Sequence, residues 1–228
     1  MKQFLTLSSL LISFSVFAQY TSQEIKKYKI GKMIKLSVTK GDEAVQKTEV
    51  WYDGNGNDTA EYNGGQLYRR TKYEYNPTRQ ATSRTRYEAD GKEIETAAYT
   101  YKPDGSCTIS NTDKNFGMTD LTYCDKAGKT TKTISPDKSE RIYSYDAKGR
   151  LSKIKSKASD NGGVVIDQQY TYNANGQLIK AVSKGDYKWT LVYSYNSKGL
   201  LSKSKNNSVT DGVPDPERTT TYEYEFRK

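Results

Sequence analysis

The chain has 228 residues, enough for one large domain or two small ones, and carries 36 Lys and Arg against 27 Asp and Glu for a formal charge of +9. Histidine is absent, so serine-hydrolase triads, cysteine–histidine dyads and most catalytic zinc sites lack a necessary part. Leu, Ile, Val and Phe together number only 38, below the roughly 20% at which a charged chain is suspected of disorder, and 20 tyrosines must make up the apolar surface.

At the N-terminus Lys2 precedes an apolar run from Phe4 to Phe17. That is the length of a signal-peptide core and short of the roughly 20 residues that cross a bilayer. The run ends at Val16-Phe17-Ala18, with small residues where a signal peptidase reads, so cleavage is expected after Ala18 or Gln19. Residues 1–19 are thus read as a signal peptide and 20–228 as a single domain. That domain is expected to be secreted or periplasmic, with no transmembrane segment.

The first motif is Trp51-Tyr52-Asp53-Gly54, and Trp51 is a candidate for stacking on a sugar ring. The following Asp53-x-Asn55-x-Asn57-Asp58 alternates oxygen ligands as a calcium loop does, but lacks its sixth-position Gly and twelfth-position Glu and reads as a polar turn. Asn57-Asp58-Thr59 and Asn206-Asn207-Ser208 fit the N-glycosylation pattern. Further on come Tyr73-Glu74-Tyr75-Asn76, Tyr99-Thr100-Tyr101 and Leu121-Thr122-Tyr123, the last with one inserted residue before Gly128. Cys107 and Cys124 are the only cysteines. With Ser106 to Asn111 and Met118 to Asp125 as the arms of one hairpin, the two fall opposite each other. A cross-strand disulfide is then possible in an oxidising compartment, two free thiols being the alternative.

The pattern sharpens at Tyr143-Ser144-Tyr145-Asp146-Ala147-Lys148-Gly149-Arg150-Leu151. It recurs as Tyr170 to Leu178 and as Tyr193 to Leu201, and the chain closes on Tyr222-Glu223-Tyr224. With the second Tyr as marker, positions 75, 101, 123, 145, 172, 195 and 224 lie 22 to 29 residues apart. Asp or Asn, two permissive residues and Gly make a type I turn whose fourth position needs positive φ, and such a turn closes a bulged hairpin. In Tyr-x-Tyr both rings share one face of a strand, and Leu67, Leu151, Leu178 and Leu201 bring an apolar side chain back beside them. The spacing predicts an all-β antiparallel meander of 14 to 18 strands, each unit having one fixed and one elastic turn. Little or no helix is expected outside the signal peptide.

Tyr145-Asp146-x-x-Gly149-Arg150-Leu151 and its relatives resemble the tyrosine-aspartate repeat of the RHS, or YD-repeat, family of secreted bacterial proteins. The resemblance covers 50 to 228 loosely and 143 to 205 well. It implies a long antiparallel meander that curves, in large relatives, into a hollow shell around a cargo, and it implies no reaction.

With alternate positions mostly Ser, Thr, Lys and Glu, at best one face of the sheet is apolar. The tyrosines suit that face because the ring buries a large area while the hydroxyl can stay wet. Packing of the rings on one another and on the return leucines is favoured over a ligand platform. Trp189, in Tyr187-Lys188-Trp189, joins Trp51 as a candidate for glycan binding. Lys153, Lys155 and Lys157 share one face of a strand, with Lys203 and Lys205 in a similar place in a later copy. Such a comb suits an anionic glycan or lipopolysaccharide phosphate, or simply keeps a long sheet soluble. Acidic neighbours such as Asp137, Glu140 and Asp146 argue against nucleic acid as partner. Asn206 to Glu217, with Pro214 and Pro216, reads as a long loop before the last strand.

The expected function is that of an exported, non-enzymatic repeat protein that presents a β-sheet surface to a cell-envelope polymer or protein. A structural or accessory part of an RHS-like toxin system is the alternative, and a carboxylate-dependent glycan-active enzyme is a remote third. No catalytic residue, metal site or cofactor is expected.

Overall fold

The computed structural model describes residues 22–42, 44–157, 164–185, 188–210 and 212–227. The expected signal peptide lies outside the described residues. Seventeen strands follow one six-residue helix, α1 (Ser22–Lys27). The strands are β1 (Ile30–Thr39), β2 (Gln46–Tyr52), β3 (Asp58–Asn63), β4 (Gln66–Tyr75), β5 (Ala81–Glu88), β6 (Glu93–Tyr101), β7 (Cys107–Asp113), β8 (Met118–Cys124), β9 (Thr130–Ile134), β10 (Glu140–Tyr145), β11 (Leu151–Lys157), β12 (Val164–Tyr172), β13 (Leu178–Gly185), β14 (Lys188–Tyr195), β15 (Leu201–Thr210), β16 (Val213–Pro214) and β17 (Arg218–Phe226). No helix among the described residues is long and apolar enough to cross a membrane.

The repeated turn forms as its chemistry dictates. At Asp146–Gly149 the Gly149 N–H donates to Asp146 O at 2.8 Å and the Asp146 N–H to Arg150 O at 2.8 Å. The Asp146 carboxylate oxygen Oδ1 accepts the Lys148 and Arg150 N–H groups at 2.9 and 2.8 Å, and Gly149 has φ 73°. The turns after β2, β4, β6, β8, β10, β12 and β14 close with the same backbone bonds. Because strand direction alternates, these seven turns gather at one rim and the variable loops at the other. Asp53 takes part as such a corner: its Oδ1 accepts the Asn55 and Asn57 N–H groups and its Oδ2 the Tyr75 hydroxyl. No cluster able to hold a metal occurs among the described residues.

Every strand pairs antiparallel with its neighbour, and β1 pairs with both β2 and β17, while β17 also pairs with β15. The meander therefore closes into a barrel of sixteen strands, with β16 a short appendage on β15. A closed sheet has no free edge. Sixteen strands enclose more space than inward side chains fill. The two core clusters reflect that: the larger joins Leu151, Ile154, Tyr170, Leu178, Ala181, Trp189, Tyr193 and Leu201 along neighbouring strands of one wall. The smaller seats Ile25 of α1 and Ile30 against Leu200, Tyr28, Tyr52 and Tyr224, so the helix packs over the turn rim.

Three local readings change. The second tyrosine of a unit does not keep its hydroxyl wet. Tyr101, Tyr145, Tyr172, Tyr195 and Tyr224 donate to the carbonyls of Ala81, Thr130, Leu151, Leu178 and Leu201, at 2.6 to 3.0 Å. Each accepting residue is the first of the preceding return strand, at or beside the bulge, where the ladder leaves a carbonyl oxygen free. Second, the unit at Leu121 has no inserted residue. Cys124 takes the inward place of the second tyrosine, and Tyr123 pairs with Thr108 and Lys132 on the outer face. Third, Asn206 to Thr210 continues β15, and Pro214 sits in the two-residue β16 beside it, an edge position that tolerates proline.

Candidate functional site

On β11 the inward Leu151, Ile154 and Ser156 are buried, so the intervening Lys153, Lys155 and Lys157 point outward, as their alternation requires. Register then aligns them with lysines of later strands. Lys155 lies opposite Asp167, and Asp167 opposite Lys184. Lys180 lies opposite Val192, and Val192 opposite Lys205, with Lys203 opposite Ser194. Adjacent strands are only about 4.8 Å apart. The outer wall from β11 to β15 is thus a continuous field of Lys153, Lys155, Lys157, Lys180, Lys184, Lys188, Lys203 and Lys205. Two of these are neutralised: Lys153 by Asp167 at 2.8 Å and Lys205 by Glu217 at 3.0 Å. Glu140, opposite Lys157, is engaged by Lys132. Lys155, Lys157, Lys180, Lys184, Lys188 and Lys203 make no ion pair among the described residues. An outward surface of this kind is the reverse of the apolar band that a transmembrane barrel turns to lipid.

The field runs into a cleft at the loop rim. A cavity of about 320 Å³ is lined by Ser183, Lys184, Lys188, Trp189, Asn207 and Asp215, among others. Trp189 is 8% exposed and belongs to the core, so its indole forms part of the cleft wall and is not a free platform. Asp215 shapes the opposite side: its Oδ2 accepts the Ser208 and Thr210 hydroxyls at 2.6 and 3.0 Å, and its N–H donates to Ser208 O. The lining thus combines an indole with amide, hydroxyl and two ammonium groups, a mixture of apolar and hydrogen-bonding surface.

Trp51 is elsewhere. It faces outward on β2 with 44% exposure, its ring centroid 6.0 Å from that of Tyr62. Lys32 Nζ lies 5.3 Å from the Trp51 ring centroid and is held by Glu225 at 2.6 Å and Glu49 at 3.6 Å. Strands β1, β17 and β15 separate β2 from β14 around the barrel, so Trp51 and Trp189 do not form one site. Cys107 and Cys124 are directly in register and buried, with no disulfide between them in this structure. Burial and the neighbouring Cys107 push the Cys124 thiol up to about 12, which suits a packed thiol and not a nucleophile.

The lysines of β13 and β14 went unread in the sequence, because single lysines at 180, 184 and 188 join the field only through cross-strand register. The cleft was equally hidden, since the β15–β16 hairpin that walls it reads as loop.

The family model described as Teneurin YD-shell matches residues 14–211. None of the curated proteins matches the chain. Among solved structures, a porin-like protein from Bacteroides uniformis ATCC 8492 aligns with a TM-score of 0.39 at 14% identity, over 86% of this chain and 98% of that one. The TcdB2-TccC3-Cdc42 structure aligns at 0.34 with 14% identity, over 81% of this chain and 9% of that one. The Photorhabdus luminescens Tc holotoxin pore aligns at 0.33 with 14% identity, over 84% and 16%. The chain thus spans less than a fifth of either of these two chains.

Proposed function

The chain belongs to the Teneurin YD-shell family, and from that premise we propose that it is an exported, non-enzymatic shell protein whose lysine field and rim cleft bind an anionic polymer of the cell envelope. Lipopolysaccharide, or a glycan carrying phosphate or uronic acid, has the required chemistry. The observation that supports this reading is the joining of six lysines that make no ion pair among the described residues, across β11 to β15, with a polar cleft of about 320 Å³ walled by Trp189.

The test is retention of the full chain by immobilised lipopolysaccharide at low and at high salt. Binding is expected to weaken with salt, because neutralised phosphates release counterions as they are bound. It should fall further when Lys153, Lys155 and Lys157 are changed together to Ser. Binding that ignores both changes, or no binding at low salt, overturns the proposal. The family match would then favour the second reading, a structural component of a larger RHS-like assembly.

A further inference from the structure

A side-chain tie recurs along the turn rim. The first residues of β5, β9, β11, β13 and β15 are Ala81, Thr130, Leu151, Leu178 and Leu201. Each accepts at its carbonyl the hydroxyl of the second tyrosine on the neighbouring strand, at 2.6 to 3.0 Å. Strand β3 opens on Asp58, whose carboxylate takes the hydroxyl of Tyr73 on β4 at 2.9 Å. Each tie fastens a strand pair at the rim opposite its connecting loop, the end at which such a pair would otherwise open.

At β7 and β8 the same two places hold different chemistry. Cys107 is the first residue of β7, and Cys124 stands in the inward place of the second tyrosine on β8. Cysteine has no hydroxyl to donate. The chain has two cysteines, and they occupy the two ends of the one tie that neither a tyrosine nor a carboxylate makes.

Register supplies the separation. Cys107 and Cys124 are directly opposite in an antiparallel ladder, and residues so placed have Cα atoms about 4.5 or 5.5 Å apart according to the type of pair. Disulfides bridge Cα separations of about 4.4 to 6.8 Å, so either pair type lies within range. Both side chains point inward and are 7% exposed. Tyr101 lies opposite Cys107 on its other side, and Thr130 opposite Cys124, so each thiol has the other as its sulfur neighbour.

We propose that Cys107 and Cys124 are an oxidative modification site, joined as a cross-strand disulfide that fastens β7 to β8 where a tyrosine hydroxyl fastens the other pairs. The oxidant is a small-molecule disulfide of the glutathione class. The thiolate of one cysteine attacks it, forming a mixed disulfide and releasing one thiol; the second cysteine then attacks the mixed disulfide and releases the other. Two electrons pass from the cysteines to the oxidant, and the two cysteine protons end on the released thiols. A buried thiol is a poor attacking group, so the exchange proceeds before the pair of strands closes or when it opens. The site lies on β7 and β8 and is independent of the lysine field and the rim cleft.

In the experiment, the full chain purified under reductant is held in reduced and oxidised glutathione with enough urea to let the sheet open transiently. It is then alkylated with iodoacetamide in strong denaturant and digested without reduction. Wild type is expected to yield a linked peptide pair containing Cys107 and Cys124, with neither alkylated cysteine nor glutathione adduct. Its Tm should exceed that of the same chain kept in reductant, and the difference should vanish in Cys124→Ser. Alkylated cysteines, glutathione adducts or links between chains in wild type overturn the proposal without reference to any variant. A linked wild type with the Tm of the reduced chain, or a reductant effect that persists in Cys124→Ser, overturns it equally.

Discussion

At the scale of single residues, the second tyrosine of five units is specified by two groups at once. Its ring covers the inner face, and its hydroxyl caps a carbonyl that the bulged ladder leaves open, as Tyr172 does for Leu151 O at 2.8 Å. Phenylalanine keeps the first role and loses the second. Tyr172→Phe is therefore expected to cost about 1 to 2 kcal/mol, the range for leaving a shielded acceptor unmade, read as a lower midpoint in urea with an unchanged m-value. A cost near zero would mean that water replaces the hydroxyl. The same logic explains the irregular unit at Asp58. There a carboxylate stands where other units place Leu, Ala, Cys or Thr, and it accepts from Tyr73 and Thr71. The sequence displays the substitution, but its partners lie on another strand and only register brings them near.

At the scale of the hairpin, the Asp-x-x-Gly corner fixes both register and twist. Gly149 has φ 73°, and a Cβ there would approach Lys129 Nζ, the movable end of a flexible side chain. The cost of Gly149→Ala is thus conformational and not steric, on the order of 1 kcal/mol, to be read from chemical denaturation. Arg79 and Lys138 occupy the same corner position at φ 63° and 65°, so the fold tolerates a side chain there at a price it meets elsewhere. The outer edge of the bulge repeats just as faithfully. Thr59, Thr131, Ser152 and Ser202 donate their hydroxyls to the carbonyls of Trp51, Tyr123, Ser144 and Ser194 at 3.1 to 3.3 Å. Trp51 and Tyr123 are therefore equivalents of Ser144, outward residues, although along the chain Tyr123 reads as the second tyrosine of its unit.

At the scale of the whole molecule, stability resides in many rings that must stay neutral. Burial raises the pKa of Tyr170 and Tyr193, which are 8% and 5% exposed, far above the usual tyrosine value, and pushes that of Tyr145 up to about 12. A folded-state pKa above the unfolded value of about 10 leaves stability intact below pH 10 and removes it as pH climbs toward the folded values, because the unfolded chain then releases protons that the barrel retains. Each well-shielded tyrosine contributes up to about 1.4 kcal/mol per pH unit to that loss, so the barrel is expected to unfold cooperatively in alkali. Absorbance of tyrosinate at 295 nm should rise together with loss of the β-sheet circular dichroism signal; gradual ionisation at pH 10 with the sheet intact would contradict the burial of the rings.

The sequence by itself determined what depends on neighbours along the chain: the alternation that sends tyrosine to one face and most lysines to the other, the corner chemistry and a meander of 14 to 18 strands. These follow from a period of two and from the backbone geometry that Asp, Asn and Gly permit, both local properties. Only the tertiary structure decided that the meander closes, since closure rests on β1 pairing with β17 nearly two hundred residues away. It also decided which lysines share a surface and where Trp189 meets the β15–β16 hairpin. Those outcomes depend on register between distant strands, and a ladder of backbone hydrogen bonds accepts almost any side chain, so nothing in a strand's own residues announces its partner.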